Sequence, residues 1–200
     1  MTEVRLATIE DANQILEIYS PSIITSATSF ETIVPSVAEM QKRIDTCLQK
    51  YPWIVCLVDN RIGGYVYASK HREREAYQWT CESSVYVHDN FKGKGIGREL
   101  YELLFRVLKL QAFRNVYAGI ALPNEASVHL HEKCGFTHFA TYNDVGYKFG
   151  HWHTVGWWKL QVNNYDPAPP PPLRLSDLDS QDLSGLFAGT ARKIQSRLTG

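Results

Sequence analysis

Two side chains in this sequence have the type and the setting for proton transfer. Glu82 lies in Thr80–Val87, TCESSVYV, a run whose β-branched and aromatic residues read as a strand. Strand alternation puts Thr80, Glu82, Ser84 and Tyr86 on one face and Cys81, Ser83, Val85 and Val87 on the other; a bulge would shift that count. A carboxylate with Trp79 and Tyr86 nearby can take a proton from a substrate, or it can be a structural acceptor for backbone or arginine. His131 can exchange a proton near neutral pH, although a lone helical histidine also serves as a satisfied core residue. His129, two positions away, projects elsewhere and reads as surface. Arg72 and Arg74, in SKHREREAYQW just before Tyr77, offer guanidinium forks suited to a carboxylate; a solvated charge run is the alternative. No histidine is placed by the sequence to activate Cys81 or Cys134, so direct attack is preferred over a thiol nucleophile.

The glycines of Phe91–Leu100, FKGKGIGREL, suggest what is held nearby. Gly93, Gly95 and Gly97 stand between a strand and an amphipathic helix, where unhindered backbone N–H groups and the helix dipole favour an anion. The run lacks the Lys-Ser/Thr ending of a nucleotide P-loop. It also stands mid-chain without the acidic ribose ligand of a dinucleotide fingerprint. A bland strand-to-helix turn remains open on these residues alone.

The elements that must carry these groups follow from periodicity. Val4–Ile9 predicts a strand, and Asp11 can cap a helix reaching about Ile18. Ser20–Ile33 reads as an irregular loop or short helix, and Pro35 opens a helix to about Lys50. Trp53–Val58 and Tyr65–Ser69 flank turn chemistry at Asp59–Gly64, a hairpin signal. The helix after the glycines carries Ile96, Leu100, Leu103, Leu104, Val107 and Leu108 on one face. Val116–Leu122 is a strand and Glu125–Lys133 a short helix; strands at Thr137–Tyr142 and Thr154–Gln161 follow. The pattern predicts an α/β domain over 1–163. Residues 164–200 form a Pro-rich linker and an accessory tail with a short helix around Gly189–Arg197, docked on the domain or on a partner subunit.

Composition narrows the class. Two hundred residues, 44% hydrophobic and 21% charged with zero formal net charge, suit a globular protein with no global pull toward nucleic acid or membrane. Four cysteines without metal-ligand or disulfide spacing read as free thiols of a cytoplasmic protein. No metal is expected, and the N-terminus lacks the features of a signal peptide.

Lys92–Gly97, KGKGIG, resembles the acyl-CoA loop of GCN5-related N-acetyltransferases, and Leu122–Phe136, LPNEASVHLHEKCGF, resembles their second acetyl-CoA motif. Ala76–Val87 and GHWHTVGWW at Gly150–Trp158 resemble a narrower group, the phosphinothricin and methionine sulfoximine or sulfone acetyltransferases. The resemblance covers about residues 3–161. It implies a mixed, splayed β-sheet flanked by helices, acetyl-CoA as cosubstrate, a small amino-acid-like amine as acceptor and a homodimer. It also implies a bulge in the strand bearing Glu82. Val85, Tyr86 and Val87 would line the pantetheine arm, and Gly93, Lys94, Gly95, Ile96, Gly97 and Arg98 the pyrophosphate. Asn124 and Lys133 would complete the coenzyme site. Glu82 would act as base and His131 as acid for the departing thiolate. Phe30, Arg72, Arg74, Tyr77, Ser84 and Val155 would meet the acceptor with Glu82, and Trp152, Trp157 and Trp158 either wall the pocket or simply pack. Lys92 departs from the usual Gln or Arg, yet its charge still suits phosphate. Another small amine or a polyamine is the enzymatic alternative; a non-catalytic CoA-binding module is the other.

Overall fold

The apolar runs become seven strands: β1 (Thr2–Leu6), β2 (Trp53–Val58), β3 (Arg61–Lys70), β4 (Thr80–Val87), β5 (Asn115–Leu122), β6 (Thr137–Lys148) and β7 (His151–Gln161). They form one sheet in the order β1-β2-β3-β4-β5-β7-β6 in the computed structural model, which describes residues 1–199. Neighbours are antiparallel except β4 and β5, which run parallel. Five helices flank the sheet: α1 (Ala12–Ile24), α2 (Val37–Leu48), α3 (Ile96–Leu110), α4 (Glu125–Lys133) and α5 (Ser180–Thr199). This is the mixed, helix-flanked α/β architecture expected.

The continuous apolar character of β2 follows from burial on both faces. Ile54 and Cys56 join the α3 side of the core with Leu100, Leu104 and Leu108, while Trp53 and Val55 join the α1–α2 side with Ile15, Tyr19 and Ile44. The α3 stripe from Ile96 to Leu108 is wholly buried, as its spacing requires. Asp11 ties β1 to α1. Its carboxylate accepts from both terminal nitrogens of Arg5 at 2.6 and 2.8 Å and from the Thr8 amide at 2.8 Å.

Several boundaries differ from expectation. The first strand ends at Leu6. Helix α1 continues through Pro21 to Ile24, because Ser22 and Ile23 are buried and reward the extra turn. The last two strands are longer than their apolar alternation suggests and meet at Phe149 and Gly150, both at positive φ. The tail helix spans Ser180–Thr199 rather than about nine residues, since Leu183, Thr190 and Ile194 are all buried along it.

The tail docks along its length. Gln111 Nε2 donates to the Leu173 carbonyl at 3.0 Å, Trp79 Nε1 donates to that of Pro170 at 2.7 Å, and Thr2 Oγ1 donates to Gln195 Oε1 at 2.9 Å. Leu175, Leu183 and Ile194 belong to the same core as α3. Among the described residues, no helix is long and apolar enough to cross a membrane. Ile194 is fully buried, so Ile194→Ala should lower the unfolding free energy by about 3 kcal/mol, read as a shifted denaturant midpoint at unchanged slope.

Candidate active site

Parallel pairing of β4 with β5 lasts only from Thr80 opposite Asn115 to Glu82 opposite Tyr117. Beyond that point β4 stays with β3, and β5 continues against β7 to Leu122, so the sheet opens into a wedge. The β3–β4 register runs from Gly64–Val87 to Lys70–Cys81 without a shift, so the expected bulge is absent and the alternation read from the sequence holds throughout. The His88 amide donates to the Gly63 carbonyl at 2.9 Å. Antiparallel alternation then points the N–H and C=O groups of Val85 and Val87 away from β3, into the wedge. Their side chains turn toward α3, whereas Glu82, Ser84 and Tyr86 face α1 and α2.

The glycine loop lies at the end of β4. Gly93 and Gly95 have φ of 76° and 80°, a region that favours glycine. Gly95 is also the N-cap of α3 and brings no side-chain acceptor, so the first amides of the helix, at Ile96, Gly97 and Arg98, are left open to an anion. At Gly97 a Cβ would lie 3.3 Å from Leu130 Cδ2, which keeps α3 close to α4. Lys92 pairs with Asp89 at 2.6 Å, and Lys94 lies 5.4 Å over the ring of Phe91.

Glu82 stands where the wedge begins. Its carboxylate accepts from His71 Nδ1 at 2.9 Å, and the His71 ring stacks on Tyr117 with centroids 4.8 Å apart. Tyr77 meets the same imidazole edge-on at 6.0 Å. The indole of Trp79, by contrast, is engaged with the tail at Pro170. His71 was hidden in a charge run, and its pairing depends on two strands and a loop that sequence spacing does not bring together. Ser69 sits opposite Glu82 on the same sheet face and helps to line a cavity of about 410 Å³ with Tyr19, Glu31, Arg43, Trp53 and Tyr67.

His131 is buried. A carbonyl can only accept, so Nδ1 carries its proton toward Ser127 O at 2.7 Å, and the Tyr101 hydroxyl donates to Nε2 at 2.7 Å. Burial pushes the imidazole below its ordinary pKa, the Ser127 bond opposing only in part. Asn124 Oδ1 caps α4 by accepting from the Ser127 amide at 3.1 Å, and Lys133 is exposed at the other end of that helix.

The remaining residues are more spread out. Arg72, Arg74 and Tyr77 are exposed around the turn before β4. Phe30 packs on Gly146 and lies 6.0 Å from His153. Val155 pairs with Ala121 of β5 and Tyr142 of β6. Trp158 belongs to the core, Trp152 is exposed, and Trp157 lies over Gly119. Burial raises the thiol of Cys81 and pushes that of Cys134 up to about 11, which leaves neither as a ready thiolate.

An open strand edge, a glycine-capped helix and a carboxylate at their junction lie together along β4. The sequence profile of the Acetyltransferase (GNAT) domain matches residues 4–157, and the chain belongs to that family of acetyl-CoA-dependent acetyltransferases. Its relatives narrow the comparison. The phosphinothricin N-acetyltransferase of Streptomyces viridochromogenes is 38% identical over 172 residues, covering 86% of this chain and 93% of that protein. The L-methionine sulfoximine/L-methionine sulfone acetyltransferase of Salmonella typhimurium is 31% identical over 81% of this chain and 95% of its own length. The crystal structure of a phosphinothricin acetyltransferase from Sinorhizobium meliloti in complex with acetyl-CoA superposes with a TM-score of 0.79 at 29% identity, covering 87% of this chain and 98% of that one.

The depressed pKa of His131 makes a stability prediction. As pH falls below about 6.5, the unfolded imidazole binds a proton and the folded one resists, so stability is present above that pH and declines below it. Replacement in His131→Asn should flatten the decline in melting temperature between pH 7.5 and 5.5 relative to wild type.

Proposed function

We propose that the protein acetylates the amino group of a small amino-acid-like acceptor of the phosphinothricin or methionine sulfoximine and sulfone type. The observation that carries this reading is Glu82, oriented by His71, where the wedge on β4 meets the α1–α2 face of the sheet. The acetyl donor fits the wedge: Gly93–Arg98 take its pyrophosphate, and the open backbone of Val85 and Val87 pairs with the amides of its pantetheine arm. The acceptor enters from the Ser69–Tyr67 side, with Ser84 and Tyr86 on that face and Arg72, Arg74 and Tyr77 at the rim.

An ammonium must lose a proton before it can attack a thioester. Glu82 takes that proton, directly or through one water, and the His71 Nδ1–H bond keeps the carboxylate aimed. A β4 amide at Val85 holds the carbonyl oxygen as negative charge grows on it. With both ring nitrogens of His131 engaged and its pKa lowered by burial, the leaving thiolate takes its proton from solvent rather than from an imidazolium. The absence of a ready thiolate favours direct transfer.

Thiol release from acetyl-CoA should be fastest with phosphinothricin, methionine sulfoximine or methionine sulfone in a panel that includes ordinary amino acids and spermidine. A preference for spermidine would reject the assigned acceptor class. Glu82→Gln should lower kcat by about 10²–10³ at little change in the KM for acetyl-CoA. His71→Phe, which keeps the stack on Tyr117, should lower kcat/KM by about tenfold and alter the pH profile.

We also place the protein in the cytoplasm, because its four free cysteines suit a reducing compartment. We read it as a homodimer through the β6–β7 edge. Edge strand β6 and its hairpin expose Phe139, Tyr142, Val145, Tyr147, Phe149 and Trp152, a larger apolar display than a free edge ordinarily carries. Light scattering should report twice the chain mass, and the double variant Tyr147→Glu/Trp152→Glu should return the mass of one chain.

A further inference from the structure

The family profile ends at residue 157, and α5 lies beyond it. We propose that this helix delivers a cofactor-binding residue, Arg197, to the glycine loop, where its guanidinium contacts the coenzyme A diphosphate. The inference rests on the acetyl-CoA reading of that loop.

Four of its atoms place the side chain. Arg197 Nε and Nη2 both bond to Glu99 Oε1, at 3.0 and 2.7 Å. Its Cδ lies 2.9 Å from where a Cβ on Gly95 would be, and Nη1 lies 3.4 Å from the same point, so the aliphatic stem and outer nitrogen cross the loop. The helix that holds it is fixed independently by the fully buried Ile194 and by the Thr2–Gln195 bond. Arg197 therefore reaches the N-terminal cap of α3 from a firm base.

Glu99 makes the arrangement chemically pointed. It is only 3% exposed and sits in the first turn of the helix whose N-terminus must hold phosphates. A carboxylate there suits the helix dipole but repels a diphosphate. Lys193, 3.7 Å from Glu99, is half-exposed and weakly placed, so Arg197 is the main counter-charge. A guanidinium can keep two nitrogens on a carboxylate and turn its third toward phosphate, which a lysine cannot do. Gly95 leaves room for that approach, since any side chain at this position would meet the Arg197 stem.

The test uses the full chain and two variants, with CoA as the titrated ligand. Arg197→Gln leaves Glu99 buried and uncompensated and should weaken CoA binding by about thirtyfold. The double variant Glu99→Gln/Arg197→Gln removes both charges together and retains a neutral hydrogen-bonded pair. It should melt within a few degrees of wild type and still bind CoA about tenfold more weakly. The KM for acetyl-CoA should rise in parallel, while the KM for the acceptor at saturating acetyl-CoA stays put. If the double variant binds CoA as tightly as wild type, Arg197 only neutralises Glu99 and the assigned phosphate contact is wrong. If wild type itself fails to bind CoA, the reading of the loop falls instead.

Discussion

The site depends on two strands that cease to be partners. β4 and β5 share three register pairs and then separate, each retained by its other neighbour. Separation strands the backbone groups of Val85 and Val87 in a partly buried gap, and unpaired peptide groups there are costly. A ligand that carries amides of its own can take the place of the missing strand. Under the proposed function that ligand is the pantetheine arm, and sheet geometry creates the demand for it before any side chain contributes specificity.

Much of this was legible in the sequence, for reasons that can be stated. The glycine loop is local, and its φ demands and position before an amphipathic helix are written in consecutive residues. Glu82 and the faces of β4 follow from strict alternation, which holds because no bulge interrupts the register. His71 was not legible, because its partner is eleven residues away across a turn and its stacking surface, Tyr117, lies on another strand. The chemistry at His131 was legible only as a residue type. Its lowered pKa comes from burial, which the bond to Ser127 opposes only in part.

The tail shows a different limit. Its prolines and small residues read as a linker followed by a short segment without a core of its own. Leu175, Leu183 and Ile194 find their hydrophobic partners on α3 and the sheet, so the helix runs the length its burial supports rather than the length its local pattern suggests. The pairing of Arg197 with Glu99 spans 98 positions. No window of sequence contains both halves of it.

Along the wedge, β4 presents different side chains to the two faces of the sheet. Val85 and Val87 turn their side chains toward α3 while Glu82 and Ser84 look toward α1 and α2, so under the proposed function the two substrates meet across β4. Neither has to be buried beneath the other. On that reading, with the Cys81 and Cys134 thiols raised by burial, direct transfer has both substrates bound at once. On that reading each product has a side of the strand of its own from which to leave, so release of one need not wait for the other.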